Sequence, residues 1–524
     1  MKLNTVKEKQ SWIADLGNGY YQNPILFADY SDPDVIRVGD DFYLISSSFA
    51  STPGIPVLHS KDLVNWKIIS HVFDRLPYDY YDTVRHGAGA WAPSIRYHQG
   101  RYWVFFGIPD HGIFMSTAEN PAGPWAPLHL VKEAKGWIDP CPFWDDDGQA
   151  YLVFAFAKSR CGIKNILKMC RMKPDGTALL SDPELVFDGN ANHPTIEGPK
   201  MYKRNGYYYI FAPAGGVKPG WQTVLRSKQV YGSYEDKIVL HQGKSPINGP
   251  HQGGLVELES GESWFIHFQD RDAYGRIVHM QPVRWENDWP IMGHQQNEEN
   301  IGEPVLKWKK PNVGKEYPIK APATSDEFKE EILGLQWQWE ANHKPEWYKL
   351  NEETGLRLFA QPYPKNSHQT LAECPHVLCQ KFPAPVFTVT TKFSFHSSSP
   401  TDQAGLVILG KEYEYIALNS DGLVHVAGTR ENPMPIEEEK EQHLLDSSTV
   451  YLRVQVQEEA VCQFYYSVDG KDFLKIGDAF QAKKGHWVGA KIGLFCTTKE
   501  VQKDTGFVDV RWIRVENNGM ITAK

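Results

Sequence analysis

Residues 32–49, "DPDVIRVGDDFYLISSSF", form the pattern of a short strand, a turn that contains Gly39, and a second strand. Branched and aromatic residues on both sides of a Gly-Asp-Asp turn favour a β-hairpin. The stretch opens with Asp32-Pro33, and proline is tolerated at the first residue of a strand. A carboxylate at that place does not help the strands to pair.

The same pattern returns four times along the chain, and the five copies start 47 to 60 residues apart. Each copy is a short strand, a Gly-containing turn and an aromatic-rich strand. This spacing is close to one four-stranded blade of a β-propeller, so we predict five blades. A β-sandwich would also supply strands, but not this recurrence. The further copies are "APSIRYHQGRYWVFFG" from Ala92, "DPCPFWDDDGQAYLVFAF" from Asp139, "GPKMYKRNGYYYIFAPAGG" from Gly198 and "GGLVELESGESWFIHFQD" from Gly253.

The sequence changes character after the fifth copy. Residues 303–325 carry four prolines and five lysines and indicate an inter-domain linker. Beyond them, stretches such as "FTVTTKFSF" and "TVYLRVQVQ" alternate apolar and polar residues, which is typical of a β-sandwich. The sequence therefore predicts an all-β chain with a propeller at 1–302, a linker at 303–325 and a sandwich at 326–524 that packs on the propeller.

Composition excludes several classes of protein. The chain of 524 residues has a net charge of −9 and no long basic run, which argues against nucleic-acid or anionic-membrane partners. No run of 18 apolar residues indicates a membrane span. The start of the chain has no apolar segment typical of a secretory signal, and the seven cysteines form no CxxC pair. We therefore expect a cytoplasmic protein with free thiols.

Three carboxylates stand at the start of predicted inner strands. The first strand of each propeller blade lines the central channel, so the opening residues of the blades meet at one end of it. Asp32 opens the first blade, Asp139 opens the third, and Glu197 directly precedes the fourth. Glycosidic cleavage needs one carboxyl group that donates a proton and one that handles water or the anomeric carbon. A third carboxylate keeps the donor protonated, because like charges raise a neighbour's pKa.

These residues and their surroundings resemble glycoside hydrolase family 43, the β-xylosidase/α-L-arabinofuranosidase group. The resemblance implies a five-bladed propeller followed by a concanavalin-like β-sandwich. It also implies that Asp32 is the general base, Asp139 the residue that modulates the pKa of the acid, and Glu197 the general acid. It is carried by "NPILFADYSDPDVIRVGDDFYL", "HSKDLVNW", "GAWAPSIRYHQGRYW", "IDPCPFWDDDGQAYLV", "IEGPKMYKRNGYYYI", "GPHQGGLVE" and "YGRIVHMQPVRWENDWP".

The resemblance extends to residues that would contact the sugar. It implies that Arg276 contacts the glycone and that Phe49 and Trp91 form aromatic walls of the sugar pocket. Ile138 stands where some xylosidases carry phenylalanine, which leaves the glycone preference open. His251 matches a histidine on the channel axis that, with waters, holds a calcium ion in some members.

Two expectations concern the sandwich. Asp326 and Asp509 lie near its two ends in sequence and are a second candidate calcium site. The polar loop 497–506 is longer than a hairpin requires, and loops of this kind in resembling enzymes reach over the propeller. We therefore expect the loop 497–506 to close one side of the active site.

The leading hypothesis is an exo-acting, inverting hydrolase that releases terminal xylose, arabinofuranose or both from xylo-oligosaccharides or arabinosylated oligosaccharides. An α-L-arabinofuranosidase or an endo-arabinanase is the alternative among enzymes. A non-catalytic carbohydrate-binding propeller is the alternative of another class, although such a protein needs no proton donor. A homo-oligomer is left open.

Overall fold

The structure is a computed structural model that describes residues 12–295, 301–431, 434–500 and 505–517. Within these ranges the chain is almost entirely β-structure, and Lys158–Cys161 is the single α-helix. None of the described helices is both long and apolar enough to cross a membrane. The remaining helical segments are short 3-10 turns at Asp79–Asp82, Asp272–Tyr274, Pro345–Trp347, Leu371–Glu373 and Glu458–Ala460.

The first part of the chain is a five-bladed propeller, which confirms the predicted fold. Every blade contains four consecutive antiparallel strands. In chain order, the blades are Asp34–Val38, Asp41–Ile45, Gly54–Ser60 and Trp66–Phe73; Trp91–His98, Arg101–Ile108, Gly112–Ala118 and His129–Glu133; Trp137–Trp144, Ala150–Phe156, Ile166–Met172 and Glu184–Asp188; Lys200–Arg204, Tyr207–Ala214, Trp221–Ser227 and Glu235–His241; and His251–Glu257, Ser263–Asp270, Arg276–Glu286 and Trp289–Met292.

Both ends of this region tie the propeller together. Leu26 forms a β-bridge with Val278, so the segment before the first blade joins the fifth blade. Strand Tyr20–Gln22 pairs with Lys307–Lys309, inside the stretch predicted as a linker. Residues Gly302–Glu303 extend the sheet of the fourth blade, where they pair with Glu235–His241 and with His294–Gln295. The first residues after the blades therefore stabilise the propeller as well as leading to the next domain.

The residue at the head of each inner strand has a positive φ angle. The values are 53° at Asp32, 39° at Ala92, 56° at Asp139, 60° at Gly198 and 39° at Gln252. Left-handed backbone is uncommon for residues other than glycine and is tolerated best by Asn and Asp. β-Bulges accompany this conformation in the second, third and fifth blades. Because a bulge changes the direction of side chains, it turns the head residues of these three blades toward the channel end.

The second domain is a β-sandwich, also as predicted. Alternating residues of its two sheets face each other and form one large hydrophobic cluster. One sheet has the spatial order Gln338–Trp339, Leu378–Lys381, Lys491–Thr498, Gln403–Leu409, Glu412–Asn419, Gly422–Thr429 and Ile436–His443, with Gln361–Pro362 beside Lys491–Thr498. The other has the order Tyr348–Asn351, Gly355–Phe359, Phe507–Glu516, Phe387–His396, Thr449–Val456, Val461–Ser467 and Leu474–Gln481.

The two domains are packed against each other through buried contacts. Tyr274 of the fifth blade belongs to the hydrophobic cluster of the sandwich. Its hydroxyl donates to the carbonyl of Pro385 at 2.8 Å and accepts from the amide of Ala460 at 2.8 Å. Thr52 forms a β-bridge with Trp339 across the same interface. The position of the sandwich on the propeller is therefore fixed by hydrogen bonds and packing at this interface.

All seven cysteines are free thiols, and six of them are buried. Free thiols agree with the absence of a disulfide pattern in the sequence. The cytoplasmic location itself stays a prediction.

Candidate active site

Asp32 lies in a buried pocket of hydrogen-bond donors. Its Oδ2 accepts from the hydroxyls of Ser47 at 2.6 Å and Ser31 at 2.9 Å. Its Oδ1 pairs with Nη1 of Arg276 at 2.8 Å. Ser47 also accepts a hydrogen bond from the amide of Ala92 at 2.7 Å, so the second blade helps to fix the carboxylate. Three donors around one side chain are the environment of a carboxylate with a fixed orientation.

Asp139 is buried beside Asp32 and the head of the fourth blade. Its Oδ2 accepts from the amide of Gly198 at 2.8 Å. Burial and the negative charge of Asp32 raise the pKa of Asp139 to about 7. The buried ammonium of Lys200 donates to the Ser94 hydroxyl at 2.7 Å and opposes this shift in pKa. The fold brings Asp32 and Asp139 close together at the channel end, so that the charge of one affects the pKa of the other.

Glu197 completes the carboxylate group. Burial, and then the charges of Asp139 and Asp32, raise its pKa to about 8. Its Oε1 lies 3.4 Å from Nε2 of His251, while 27% of the side chain still faces solvent. Burial lowers the pKa of His251 to about 3, so this imidazole is neutral near pH 7. Glu197 is therefore a protonated carboxyl group at the open end of the channel.

Arg276 stands at the start of the third strand of the fifth blade. Its Nη1 donates to Asp32 and, at 2.8 Å, to the hydroxyl of Ser31. The guanidinium carbon lies 4.8 Å from the ring centroid of Phe268 and 5.6 Å from that of Trp487. The sequence singled out Arg276, but it gave no sign of the two aromatic rings that enclose its guanidinium.

Aromatic rings line one side of the site. Phe49 is buried and lies edge-on to the half-buried Trp91, with ring centroids 6.2 Å apart. Trp91 in turn lies 6.3 Å from Trp487 of the sandwich, and its indole N–H donates to the carbonyl of Gly87 at 3.0 Å. Trp487 is 44% exposed, so its ring keeps a free surface beside the site. Flat apolar faces next to carboxylates suit the stacking of a sugar ring.

Near Asp29 and Arg276, the sandwich reaches the propeller with the loop 482–490, between strands Leu474–Gln481 and Lys491–Thr498. In this loop, Gly489 donates from its amide to Oδ2 of Asp29 at 2.9 Å, and Ala490 donates to the carbonyl of Ala273 at 2.7 Å. The sequence pointed instead to the loop 497–506, of which residues 501–504 lie outside the described ranges. The described flanks of that loop contact the sandwich, where the carbonyl of Gly506 accepts from Ala360 and that of Thr498 from Tyr363.

Two residues near the catalytic carboxylates in sequence, Asp34 and Ile138, make contacts that stabilise the fold. Strand alternation in the sequence places Asp34 on the same side as Asp32, so the pattern alone does not exclude Asp34 from the site. It is fully buried and pairs with Nη1 of Arg96 at 2.7 Å, which ties the first blade to the second. Ile138 is buried in the hydrophobic cluster of the third and fourth blades, together with Ile196. Ile138 therefore packs in the core and supports the backbone next to Asp139.

The candidate calcium sites have few suitable ligands. No group of three or more His, Cys, Asp or Glu side chains with metal-binding geometry occurs in the described part of the chain. Among the described residues, both ring nitrogens of His251 lack a hydrogen-bond partner, but calcium prefers six to eight oxygen ligands. Asp509 is paired with Arg357 through two hydrogen bonds, and Asp326 accepts from the Trp337 indole. These donor sets do not form a protein cage for calcium, and a calcium ion held by His251 and waters stays a prediction.

Comparison with known proteins identifies the family of the chain. Residues 21–290 match the model of the glycosyl hydrolases family 43. This match covers more than half of the chain. The chain belongs to glycosyl hydrolase family 43. Residues 325–516 match the beta xylosidase C-terminal concanavalin A-like domain. The fold and the resemblance predicted from the sequence are thereby confirmed, and the chain is a glycoside hydrolase.

Relatives of this family-43 chain align along most of its length. A putative beta-xylosidase of Xylanibacter ruminicola is 41% identical and is matched over 95% of this chain and 90% of its own. A non-reducing end alpha-L-arabinofuranosidase of Bacteroides ovatus is 30% identical over 76% of this chain and 75% of its own. A crystal structure of a mutant GH43 protein, BlXynB of Bacillus licheniformis, superimposes with a TM-score of 0.82 at 26% identity, covering 95% of this chain and 100% of that one.

Several site residues of this family-43 chain were not found from the sequence. Ser31 and Ser47 donate hydrogen bonds to Asp32, and the charge of Lys200 acts on Asp139. Each of the three looks like an ordinary strand or turn residue in the sequence. Trp487 comes from the other domain, 211 positions after Arg276. The sequence "KKGHWVGA" places this tryptophan between two glycines in a polar loop, which is the one local signal that could have indicated it.

Proposed function

We propose that the chain is an exo-acting, inverting glycosidase that removes terminal xylose from xylo-oligosaccharides. The observation that carries this proposal is the contrast between two carboxyl groups at one channel end. Asp32 is surrounded by donors, whereas the raised pKa of Glu197 keeps it protonated near neutral pH. An inverting glycosidase needs this pair, because one group must accept a proton while the other donates one.

The reaction follows from the positions of these groups. Glu197 donates its proton to the glycosidic oxygen as the bond to the anomeric carbon breaks. Asp32 accepts a proton from the water that attacks the opposite face of the sugar. Arg276 holds Asp32 in place and presents the rest of its guanidinium to the glycone. Above its own pKa of about 7, Asp139 contributes a negative charge that opposes the loss of the proton from Glu197.

The closed side of the site favours exo over endo cleavage. An endo-acting enzyme needs a groove that is open at both ends, whereas the loop 482–490 lies against the mouth of the propeller. Trp487 approaches both Trp91 and Arg276 from this loop. A site walled on this side suits a terminal sugar better than the middle of a chain. The geometry therefore supports exo cleavage over an endo-arabinanase.

The glycone is the open part of the proposal. The relatives include a protein named for xylosidase activity and one named for arabinofuranosidase activity. β-D-Xylopyranose and α-L-arabinofuranose present similar hydroxyl groups to one pocket. We place xylose first because the relative with the higher identity carries that name. An α-L-arabinofuranosidase is the second candidate.

A comparison of two aryl glycosides tests the proposal. We expect hydrolysis of aryl β-D-xylopyranoside with a higher kcat/KM than that of aryl α-L-arabinofuranoside. Xylotetraose should yield xylose and xylotriose first. A higher kcat/KM on the arabinofuranoside would select the second candidate, and early release of xylobiose would contradict exo cleavage. Binding of xylose without hydrolysis of any of these compounds would identify a carbohydrate-binding propeller instead.

Replacing Asp139 with asparagine should move the basic limb of the pH–rate profile to lower pH. Glu197 acts while it carries its proton, so activity is lost as pH rises through its pKa of about 8. Removing the negative charge of Asp139 lowers that pKa, since like charges disfavour ionisation. Asparagine can still accept from Gly198 and tolerates the positive φ angle. The measurement is kcat/KM against pH for the two proteins.

The matched control for this experiment is Asp147→Asn. Asp147 lies in the exposed hairpin turn of the same blade. Its replacement removes one negative charge far from the channel end, so the basic limb should stay in place. An unmoved limb in Asp139→Asn would mean that Asp139 has only a structural role.

A further inference from the structure

Asp29 lies three residues before Asp32, but its contacts lie at the boundary of the two domains. It is 6% exposed. Among the described residues it forms no ion pair with Lys or Arg, and Lys381 acts on it only through its charge. Its carboxylate is satisfied instead by two backbone amides, one from each domain. We propose that Asp29 is a positioning residue that sets the glycone pocket by holding Arg276 and the sandwich loop 482–490 together. This inference rests on the proposed function.

The first amide belongs to Arg276. Its backbone N–H donates to Oδ1 of Asp29 at 2.8 Å, at the first residue of strand Arg276–Glu286. The side chain of the same residue donates to Asp32 at 2.8 Å. Fixing the backbone of Arg276 therefore fixes the origin of the guanidinium that orients Asp32.

The second amide belongs to Gly489 of the sandwich. It donates to Oδ2 of Asp29 at 2.9 Å. Trp487 lies two residues earlier and has a φ angle of 66°. A bulky residue rarely adopts this left-handed conformation unless its surroundings hold it. The bond to Asp29 is one of the contacts that hold the loop, and the ring of Trp487 is thereby kept beside Arg276.

The loop 482–490 packs tightly at Gly489 against the backbone of Tyr274 and Gly275 in the propeller, so a larger residue at Gly489 would not fit. A Cβ atom on Gly489 would lie 2.7 Å from the amide nitrogen of Gly275 and 2.8 Å from the carbonyl carbon of Tyr274. These are backbone atoms that cannot rotate away. If the loop withdrew, a buried carboxylate would lose one of its two donors, which is unfavourable. Asp29 therefore couples the position of the loop to that of Arg276.

Two variants on opposite sides of the contact test this coupling. Asp29→Asn keeps the shape of the side chain, but its amide NH₂ must face one of the two N–H groups. Gly489→Ala leaves Asp29 intact and pushes the loop away from Gly275. Asp147→Asn is the control, because it also removes one carboxylate but lies in the exposed hairpin turn of the third blade, away from the loop 482–490. The readouts are kcat/KM for aryl β-D-xylopyranoside, the inhibition constant of xylose, and the melting temperature.

We expect each of the two variants to lower kcat/KM by about 10- to 100-fold and to weaken xylose inhibition, as the loss of a hydrogen bond to a buried charge implies. The double variant should be little worse than either single one, because both changes break one contact. The control should stay within about twofold of the wild type. Melting temperatures report whether each variant is folded under the assay conditions.

Three results would overturn the inference. Wild-type kcat/KM and xylose inhibition in Asp29→Asn would do so, even with a lowered melting temperature, since the contact would then be only structural. Losses that multiply in the double variant would show two independent effects. If Asp29→Asn does not fold, unchanged xylose inhibition in folded Gly489→Ala would also contradict it. A wild type that hydrolyses no glycoside would instead refute the proposed function itself, and the positioning role with it.

Discussion

Replacing Asp32 with asparagine is expected to lower kcat for an aryl β-D-xylopyranoside by about 10²–10⁴-fold, because a general base contributes roughly that much. Asparagine has no basic oxygen that can take a proton from water. It should leave the fold intact, since it has the same shape and tolerates the positive φ angle of 53° at this strand head. Its carbonyl can still accept from Arg276, and the serine hydroxyls can rotate to accept from its NH₂ group.

The measurement is steady-state kinetics on purified protein with a melting curve of the same sample. Asp40→Asn is a suitable control, because Asp40 lies in the exposed hairpin turn of the same blade. That control should retain wild-type turnover. Turnover close to wild type in a folded Asp32→Asn protein would refute the assignment of the base.

Replacing Glu197 with glutamine should have an effect that depends on the leaving group. Cleavage of xylobiose releases a poor leaving group that must be protonated, so we expect a loss of about 10²–10⁴-fold. A dinitrophenyl xyloside releases a stable phenolate and needs little help, so its loss should be much smaller. The basic limb of the pH–rate profile should also disappear, since the group with the pKa of about 8 is gone.

Binding separates this effect from a damaged site. Glutamine keeps the size of the side chain, so xylose should still bind to Glu197→Gln with nearly unchanged affinity, as measured by calorimetry. An equal loss of activity on xylobiose and on the dinitrophenyl xyloside would show that Glu197 is not the proton donor.

The fold was predictable because the propeller repeats one local pattern. Each blade contains its own strand, turn and aromatic strand. Four of the five blades open with a small or acidic residue that is followed by proline. Pattern and spacing within a blade are local properties, so they can be read from the chain. The same regularity placed Asp32 and Asp139 at equivalent heads. It also placed Glu197 next to the head at Gly198.

The detailed geometry of the heads could not be predicted. Strand alternation assigned Asp32 and Asp34 to the same side, whereas Asp34 pairs with Arg96 and Asp32 contacts Arg276. The left-handed backbone at Asp32 breaks the alternation between them. Such a conformation is stabilised by surrounding contacts, including that of Ser47, and not by the local sequence.

The sequence drew attention to a different loop of the sandwich from the one whose contact with the propeller is described, and the role of the loop 497–506 stays a prediction because residues 501–504 lie outside the described ranges. Loop length favoured 497–506, because a long polar loop between strands suggests a function. The loop 482–490 contacts the propeller beside Asp29, and its fit depends on the close approach of Gly489 to Gly275. The fit between two residues more than 200 positions apart produces no repeating pattern in the sequence around either of them, so it could not be predicted from the sequence.

The anomer formed first in the reaction tests the central claim most directly. In an inverting reaction, Asp32 and Glu197 act on opposite faces of the sugar and water attacks once. Proton NMR during the first minutes of hydrolysis of an aryl β-D-xylopyranoside should therefore show α-xylose, which later equilibrates with the β form. The initial appearance of β-xylose would contradict the assignment of Asp32 as a base that activates water.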